Sequence, residues 1–172
     1  MTVQAQASPS ASGQSVQPSG DQPIKLLEYS SPIAWSKADG GLTPSGCVRL
    51  YFQEREATGT ATGNDNVGAL FGAMMDAVRQ LSVFSNGEMP TLVDRDVQNL
   101  DAGSNARGVA TVVMAYRGRQ VIKRRIGTNT VYASMTALLD SLNDFVHQTE
   151  NGAPAAVESD AAPDVTGPEG SD

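Results

Sequence analysis

Two stretches of the sequence, ATGNDNVGAL at residues 61–70 and IGTNTVYA at residues 126–133, decide the fold. Each joins a glycine to polar residues and then to small and apolar residues, a pattern typical of a turn that opens a helix. Both belong to a longer repeat, because shifting the sequence by 64 residues aligns identical residues without a gap. The identical pairs are Val48/Val112, Arg55/Arg119, Gly63/Gly127, Val67/Val131, Ala69/Ala133, Ala73/Ala137 and Asp76/Asp140. This repeat predicts two copies of one supersecondary unit that share a core.

Each copy has the pattern of three strands followed by a helix. Runs of β-branched residues indicate the strands, and apolar residues at helical spacing indicate the helices. In the first copy we predict strands at residues 24–29, 47–52 and 56–61, then a helix at 66–81. In the second copy we predict strands at residues 91–100, 109–116 and 120–126, then a helix at 130–147. The predicted fold class is α+β: a duplicated βββα unit whose antiparallel sheets pack against two helices, with a long loop over residues 30–46.

Composition separates a folded region from two tails. Residues 1–22 and 149–172 are rich in small and polar residues, which cannot bury enough apolar surface to offset the entropy of ordering. We predict that both are disordered and that residues 23–148 form one folded domain, with halves at about 23–84 and 88–148. The net charge of −7 comes from the tails, because residues 23–149 hold 12 acidic and 12 basic residues. The acidic balance therefore does not describe a site.

Composition also excludes several functional classes. The chain has no apolar run of about 18 residues that could span a membrane, and its start lacks the pattern of a secretory signal. With one cysteine, Cys47, and one histidine, His147, we expect no internal disulfide, no metal site and no cofactor. A cytoplasmic location fits these features.

The basic residues gather on one predicted hairpin, at Arg117, Arg119, Lys123, Arg124 and Arg125. Nucleic-acid binding needs a wider basic field and stacking aromatic residues, so we expect no nucleic-acid partner. A solvated strand face, or docking to an acidic partner or to the chain's own tail, fits the cluster better.

The glycine turn before each predicted helix is the most informative feature for chemistry. The first turn of a helix presents unpaired N–H groups and the positive end of its dipole, which attract carboxylates and phosphates. Because glycine lets a ligand approach the backbone, Gly63 and Gly127 could each open a cradle. The alternative is that each glycine only makes a strand-to-helix turn, with ordinary Asn and Thr caps. If the turns are cradles, a valine at either glycine should block them while the fold survives.

The same residues resemble a known family. Residues 61–70 are similar to the GNGPVDA turn and helix of the C-terminal regulatory (allosteric dimerisation) domain of 2-isopropylmalate and citramalate synthases. Residues 92–94 with 103–106 resemble its LLDY…G.DA stretch, and residues 128–134 with 137–143 resemble its DTDI..AS…AL..ALN helix. The resemblance runs in order from about residue 25 to residue 145. It implies the duplicated strand and helix unit that the repeat predicts.

The resemblance also implies a site. In that family the domain binds the end-product amino acid, leucine or isoleucine, at a dimer interface, and this inhibits a separate catalytic barrel. Carried over, the ligand-binding residues are Gly63, Asn64, Asp65, Val67, Gly68, Ala106, Thr128, Asn129, Thr130 and Ala133. Here Asn129 replaces an acid, Lys123 and Arg125 replace glycines, and Arg95 replaces a tyrosine. These departures favour a more anionic ligand, such as a 2-keto or dicarboxylic acid.

Taken together, these features favour a stand-alone regulatory and dimerisation domain. It would form a homodimer, bind a small branched-chain amino acid or a related acid, and modulate a separately encoded synthase-like barrel subunit. We expect no synthase activity from the chain itself, because the family's barrel takes about 250 residues and holds its metal partly through histidines. The alternative is a repurposed small-molecule-binding domain or a small metal-free enzyme in a specialised biosynthetic pathway. A third alternative is a structural protein that uses only its dimer surface and tails.

Overall fold

The computed structural model describes residues 14–15, 22–35, 42–84, 87–101 and 106–150. The strands are β1 (Gln14–Ser15), β2 (Lys25–Ser30), β3 (Ile33–Trp35), β4 (Leu42–Phe52), β5 (Arg55–Thr62), β6 (Thr91–Asn99), β7 (Gly108–Tyr116) and β8 (Arg119–Gly127). The helices are α1 (Asn66–Gln80) and α2 (Thr130–Glu150). The predicted tails lie outside the described residues, except for residues 14–15, 22 and 149–150. Secondary structure therefore extends beyond the predicted boundaries at both ends, as β1 and as the last turn of α2.

Both sheets are antiparallel, as the sequence predicts. In the first sheet β2 and β3 follow each other along one edge of β4, and β5 lies along the other edge. β1 pairs with the outer side of β2. In the second sheet β7 lies between β6 and β8. Each sheet is followed by one helix, so the predicted α+β class with a duplicated βββα unit is confirmed.

The loop predicted over residues 30–46 is in part a strand, which corrects the sequence analysis. Its proline and glycine content indicates a loop, but β3 and the first residues of β4 lie within it and pair with each other. Pro44 has no N–H to donate, yet its carbonyl accepts a hydrogen bond from the Gly63 N–H at 3.1 Å. Long-range pairing therefore overrides the local composition here.

The duplication extends to a shared irregularity. Leu26 pairs with Leu50 in the first sheet, and Leu92 pairs with Met114 in the second. Directly after each of these pairs, the first strand of the unit shifts its register by one residue. The second strands of the two units are thus offset by 64 residues and the first strands by 66. These two offsets define which residues correspond between the units.

Small residues let α1 lie directly on the first sheet. Ala69, Ala73 and Ala77 are fully buried along one side of the helix. A Cβ atom added to Gly59 would lie 2.0 Å from the Ala73 carbonyl oxygen, and one added to Gly46 would lie 2.5 Å from that of Ala69. The missing side chains at these two glycines therefore allow helix and sheet to approach this closely.

The second unit also packs its helix against one face of its sheet. Alternate residues of β7 are buried, as expected for a strand with one face on the core. The largest fully buried side chains come from both units: Phe145, Ile24, Leu50, Leu70, Met74, Met114, Met135, Leu138, Leu142, Val48, Val78 and Val112. They belong to one continuous cluster, so the two copies share a core as the repeat predicts.

The first strand of one unit is also tied to the helix of the other. Just before β2, the Ile24 N–H donates to Asn143 Oδ1 at 2.7 Å, and Asn143 Nδ2 donates to the Ile24 carbonyl at 3.1 Å. Both residues are buried, and the neighbouring Gln22 Nε2 donates to Asp140 Oδ1 at 3.0 Å. One side-chain amide of α2 thus satisfies both backbone groups of a residue 119 positions away.

Replacing Asn143 with leucine, which has the same branched arrangement of side-chain heavy atoms but no polar group, should lower the free energy of unfolding by about 2–4 kcal/mol. The reason is that the buried N–H and C=O of Ile24 would both lose their partners. Urea unfolding followed by circular dichroism measures the change. Asn64→Leu is the matched control, because Asn64 is exposed and should change stability by no more than about 0.5 kcal/mol. Wild-type stability in Asn143→Leu would contradict this account of the junction.

Candidate functional site

An open cleft of about 560 Å³ lies where the start of α1, strand β6 and the start of α2 meet. Its lining residues are Pro44, Asp65, Asn66, Val67, Arg95, Val97 and Thr130. Four of them belong to the first unit and three to the second. The cleft is therefore made by the junction of the two units, and neither copy of the repeat forms it alone.

This junction occurs twice in the molecule. By the offsets of the repeat, Arg95 on β6 corresponds to Tyr29 on β2, and Asp65 before α1 corresponds to Asn129 before α2. Arg95 hydrogen-bonds to Asp65, and Tyr29 hydrogen-bonds to Asn129. Each first strand thus places one side chain at the N-terminus of the opposite helix. The backbones correspond, but the chemistry of the two junctions differs.

At the first junction, Asp65 and Arg95 form a two-pronged ion pair. Arg95 Nη2 donates to Asp65 Oδ2 at 2.8 Å, and Nη1 donates to Oδ1 at 3.2 Å. Asp65 is also the N-cap of α1, since its Oδ1 accepts a hydrogen bond from the Gly68 N–H at 2.7 Å. The Arg95 hydrogen bond, followed by the Gly68 hydrogen bond, lowers the pKa of Asp65 to about 2. The Arg95 guanidinium also lies 5.7 Å from the ring centroid of Phe71, which helps to fix it in place.

The protein's own carboxylate therefore occupies the helix terminus that the sequence predicts as a cradle. Because Asp65 already accepts from the Gly68 N–H, an anion could use that donor only by displacing Asp65. The groups available to bind a polar ligand in the cleft are therefore the side chains of Arg95 and Asp65. Arg95 offers N–H donors to a carboxylate, and the half-exposed Asp65 offers acceptor oxygens to an ammonium group. Val67 and Val97 line the same cleft and offer apolar contact.

At the second junction, aromatic rings take the place of the ion pair. Tyr29 and Tyr132 stack with their ring centroids 6.2 Å apart. Burial raises the pKa of Tyr29, and the neighbouring Tyr132 raises it further. Asn129 Oδ1 accepts a hydrogen bond from the Tyr132 N–H at 2.9 Å and so caps α2. The polar groups of this second junction hydrogen-bond to one another. Of the two junctions, the first is the one that has a charged pair.

Three residues named by the family resemblance line the cleft: Asp65, Val67 and Thr130. Gly68 supplies the N–H that Asp65 caps, and Asn64 is exposed in the turn. The other residues named by the resemblance lie outside the lining: Gly63, Ala106, Thr128, Asn129 and Ala133. Thr128 and Asn129 are exposed, whereas Ala133 is buried.

Four further residues line the cleft that the predicted set does not contain: Pro44, Asn66, Arg95 and Val97. No local pattern could link Arg95 to Asp65, because 30 positions separate them. The repeat does point to Arg95 as a junction residue. When the first strands are aligned at their offset of 66 residues, Arg95 corresponds to Tyr29, which contacts the turn before the other helix.

The two turn glycines differ in their surroundings. A Cβ atom at Gly63 would lie 2.5 Å from the backbone nitrogen of Ala69, whereas at Gly127 the nearest atom would be 3.6 Å away. The expectation that a valine at Gly63 spares the fold is therefore wrong, because the side chain would clash with the backbone of α1. A valine at this position would test packing rather than ligand binding.

Three cations of the predicted basic cluster have acidic partners within the fold: Arg117 pairs with Glu88 at 3.3 Å, and the other two pair with acids on α2. Lys123 Nζ lies 2.5 Å from Asp144 Oδ2 on α2. Arg125 Nε donates to the buried carboxylate of Asp140, and this hydrogen bond raises the pKa of Arg125. Both cations therefore hold β8 against α2. Their positions, which correspond to glycines in the resembling family, do not argue for an anionic ligand.

No group of three or more His, Cys, Asp or Glu side chains within the described ranges is placed to hold a metal ion. None of the helices in the described part of the chain is both long and apolar enough to cross a membrane.

The chain thus has a duplicated βββα fold with an open cleft at the junction of its two units. Residues 14–146 match the family described as the LeuA allosteric (dimerisation) domain, and the chain belongs to this family. The chain is also similar to a 2-isopropylmalate synthase of Aquifex aeolicus (strain VF5), with 26% identity over 129 residues. That match covers 75% of this chain and 22% of the relative, so the chain spans less than a quarter of the relative's length. The resemblance seen in the sequence is confirmed.

The ion pair at the cleft should make stability depend on pH in a defined window. The pKa of Asp65 is lowered from 3.8 to about 2, so its stabilising effect is present above pH 3.8 and is lost as the pH falls toward 2. Asp65→Asn keeps a good N-cap but removes the ion pair. It should cost about 0.5–1 kcal/mol at pH 6, as for other exposed pairs.

Urea unfolding of wild type and Asp65→Asn between pH 7 and pH 2 measures this difference. The difference should disappear in the acidic window, and it should be smaller throughout in an Arg95→Gln background. A difference that stays constant down to pH 2 would mean that the ion pair does not set the pKa of Asp65.

Proposed function

We propose that this protein is a regulatory domain that forms a homodimer, binds a small branched-chain amino acid or related acid in the cleft, and modulates a synthase-like catalytic barrel. Membership of the LeuA allosteric (dimerisation) domain family supports the regulatory and dimeric parts of the proposal. The observation that carries the ligand part is the Asp65–Arg95 pair beside apolar residues in a cleft of ligand size.

The charges of the cleft fit an amino acid better than a simple anion. Arg95 is already compensated by Asp65, so a lone carboxylate that binds Arg95 would leave the aspartate beside a second negative charge. An α-amino acid brings both a carboxylate for Arg95 and an ammonium group for Asp65, and it can replace both partners of the pair. Its branched side chain would contact Val67 and Val97. On this ground leucine, isoleucine and valine rank above their 2-keto acids.

The catalytic barrel would be a separate subunit or another part of a longer polypeptide. The relative named as a 2-isopropylmalate synthase is matched over only 22% of its length, so most of that protein has no counterpart in this chain. Regulation would then act through the interface between this domain and the barrel. A cytoplasmic location for both is part of the proposal.

Thermal unfolding of the full chain against a panel of small acids tests the ligand. The panel holds leucine, isoleucine, valine, their 2-keto acids, isopropylmalate and citramalate. A ligand at 100 times its dissociation constant should add about 2.7 kcal/mol of stability, which is a shift of several degrees for a domain of this size. Isothermal titration calorimetry then gives the dissociation constant for each compound that stabilises the protein.

Variants at the ion pair separate specific binding from general stabilisation. Arg95→Gln should weaken binding of every carboxylate at least tenfold, and Asp65→Asn should selectively weaken the amino acids relative to their 2-keto acids. Arg49→Gln is the matched control, since Arg49 also pairs with an acid but lies on the first sheet. The ligand proposal fails if no compound shifts the unfolding temperature, or if Arg95→Gln responds like wild type.

A further inference from the structure

A separate pocket of about 390 Å³, called here the end pocket, lies where α1 ends. Four apolar side chains line it, those of Val78, Val83, Phe84 and Met89. Because α1 begins at the cleft and runs for 15 residues, the two sites are about 22 Å apart along the helix. They share no lining residue, so ligand binding in the cleft does not account for the end pocket.

The way in which α1 ends creates this pocket. The Ser82 N–H donates to the Arg79 carbonyl at 3.0 Å, and the Val83 N–H donates to the Val78 carbonyl at 3.3 Å. With Ser82 at a φ of 53°, this is the Schellman pattern, which turns the chain sharply after the last helical residue. Phe84 then enters the core, where it is 5% exposed. The end pocket is therefore a defined apolar site beside a well-capped helix.

Arginine side chains at the end of α1 make the rim of the pocket basic. Arg79 lines the pocket and is 65% exposed, with Asp76 of the same helix as its ion-pair partner. Arg55 donates to the carbonyls of Gln80 and Leu81, directly beside the pocket. Within the described residues Arg55 has no acidic partner, so its charge is not compensated.

The turn between β7 and β8 adds two more arginines. Arg117 pairs at 3.3 Å with Glu88, which lies between two residues that line the pocket. Arg119 is exposed and pairs across the hairpin with Tyr116, and none of the ion pairs in the described part of the chain includes it. Apolar walls with unpaired positive charge around them suit an acidic peptide that carries an aliphatic side chain.

The chain itself supplies a segment of this chemistry directly after α2. Residues 151–172 contain five acidic residues and no Lys or Arg. Apart from alanine and proline, the apolar residues of this segment are Val157 and Val165. Glu158 and Asp160 follow Val157 closely, so one aliphatic side chain stands beside two acids. This part of the segment matches the end pocket in both polarity and charge.

The position of α2 brings Val157 within reach of the end pocket. The rings of Phe145 and Tyr116 have centroids 5.6 Å apart, and those of Tyr116 and Phe84 are 4.9 Å apart. From Phe145 to the end of α2 at Glu150, the helix advances about 7.5 Å. Val157 follows Glu150 by seven residues, which span about 23 Å when extended. The tether is therefore long enough to reach the pocket without any change in the fold.

We propose that residues 151–160 bind back onto the end pocket of the same chain, with Val157 in the pocket and the two acids beside the surrounding arginines. Burial of the valine gives the apolar contribution, and the opposite charges select the orientation. Because the segment is tethered to α2, its effective concentration is high and weak contacts suffice. An acidic partner would use the same surface by displacing the segment. The inference is independent of the proposed function, because the cleft lies at the other end of α1.

Paramagnetic relaxation in the full chain tests the contact. A nitroxide label on Ser159→Cys, in a Cys47→Ser background, should broaden the amide signals of Val83 and Gly87 at the end pocket. The amide of Val67 at the cleft is the internal reference and should be broadened far less.

Substitution of the two valines tests the anchor. Val157→Asp should lower the ratio of bound to unbound segment about tenfold, because burial of the valine is lost, and the broadening should fall accordingly. Val165→Asp is the matched control, since it makes the same change in the same segment, and should leave the broadening unchanged. Equal broadening before and after Val157→Asp would overturn the inference.

Substitution of an arginine tests the charge contribution. Arg79→Glu should lower the broadening about threefold or more, because it replaces attraction with repulsion. Arg107→Glu is the matched control: Arg107 is 60% exposed and also pairs with an acid, but it precedes β7 at the opposite end of the second sheet. Equal effects of the two substitutions would mean that net charge, and not the end pocket, attracts the segment.

A mixture of two chains identifies the origin of the bound segment. Spin-labelled chain without ¹⁵N is mixed with ¹⁵N-labelled chain without the spin label. Little broadening in the mixture, with strong broadening inside the labelled chain, supports the proposal. Equal broadening in both samples would show that the segment of a second copy binds, and no broadening at Val83 and Gly87 would show that the pocket is not its site. Either result overturns the inference and leaves ligand binding in the cleft as proposed.

Discussion

The Asn143 side chain accepts a hydrogen bond from the N–H of Ile24 and donates one to its C=O. This pair of hydrogen bonds ties the first strand of one unit to the helix of the other, and the rest of the structure depends on that tie. The reverse tie is the Arg95–Asp65 ion pair, through which β6 reaches α1. β6 is exposed along its length except at Arg95, so this ion pair is its main anchor to the opposite unit. Neither copy could complete its core or form the cleft without the other.

Because the fold is duplicated, each surface of one unit has a counterpart on the other unit. Where the two counterparts differ in chemistry, the difference points to a functional role. The two strand-to-helix junctions share a backbone arrangement, but one holds stacked tyrosines and the other an exposed ion pair beside a cleft. The sides of the two sheets that face away from the helices also share a pairing pattern, but the positions of Ser45, Arg49, Thr58 and Thr62 in the first sheet hold Val109, Val113, Ile122 and Ile126 in the second. Each unit can therefore be compared with the other unit of the same chain. Requirements of the fold alone would select the same kind of residue in both units.

The repeat, three strands of each unit and both helices follow from the sequence, because β-branched runs and helical spacing are local patterns, whereas β1 lies in a predicted tail. Strand β3 could not be predicted, since it forms only by pairing with residues near Pro44, and the local composition indicates a loop. The same limit applies to the site. Asp65 was found through its turn, but its partner Arg95 comes from a distant strand. Lys123 and Arg125 indicate an anionic ligand from the sequence alone, but in the structure both pair with acids on α2.

The two units are interlocked and should behave as one cooperative structure. Native-state hydrogen exchange at the amides of Leu50 and Met114, which are fully buried in the second strands of the two units, tests it most directly. Interlocked units predict the same free energy of opening at both amides, within about 0.5 kcal/mol, and equal to that of global unfolding. Opening of one amide at a free energy lower by more than about 1 kcal/mol would show that its unit unfolds alone and would contradict the account.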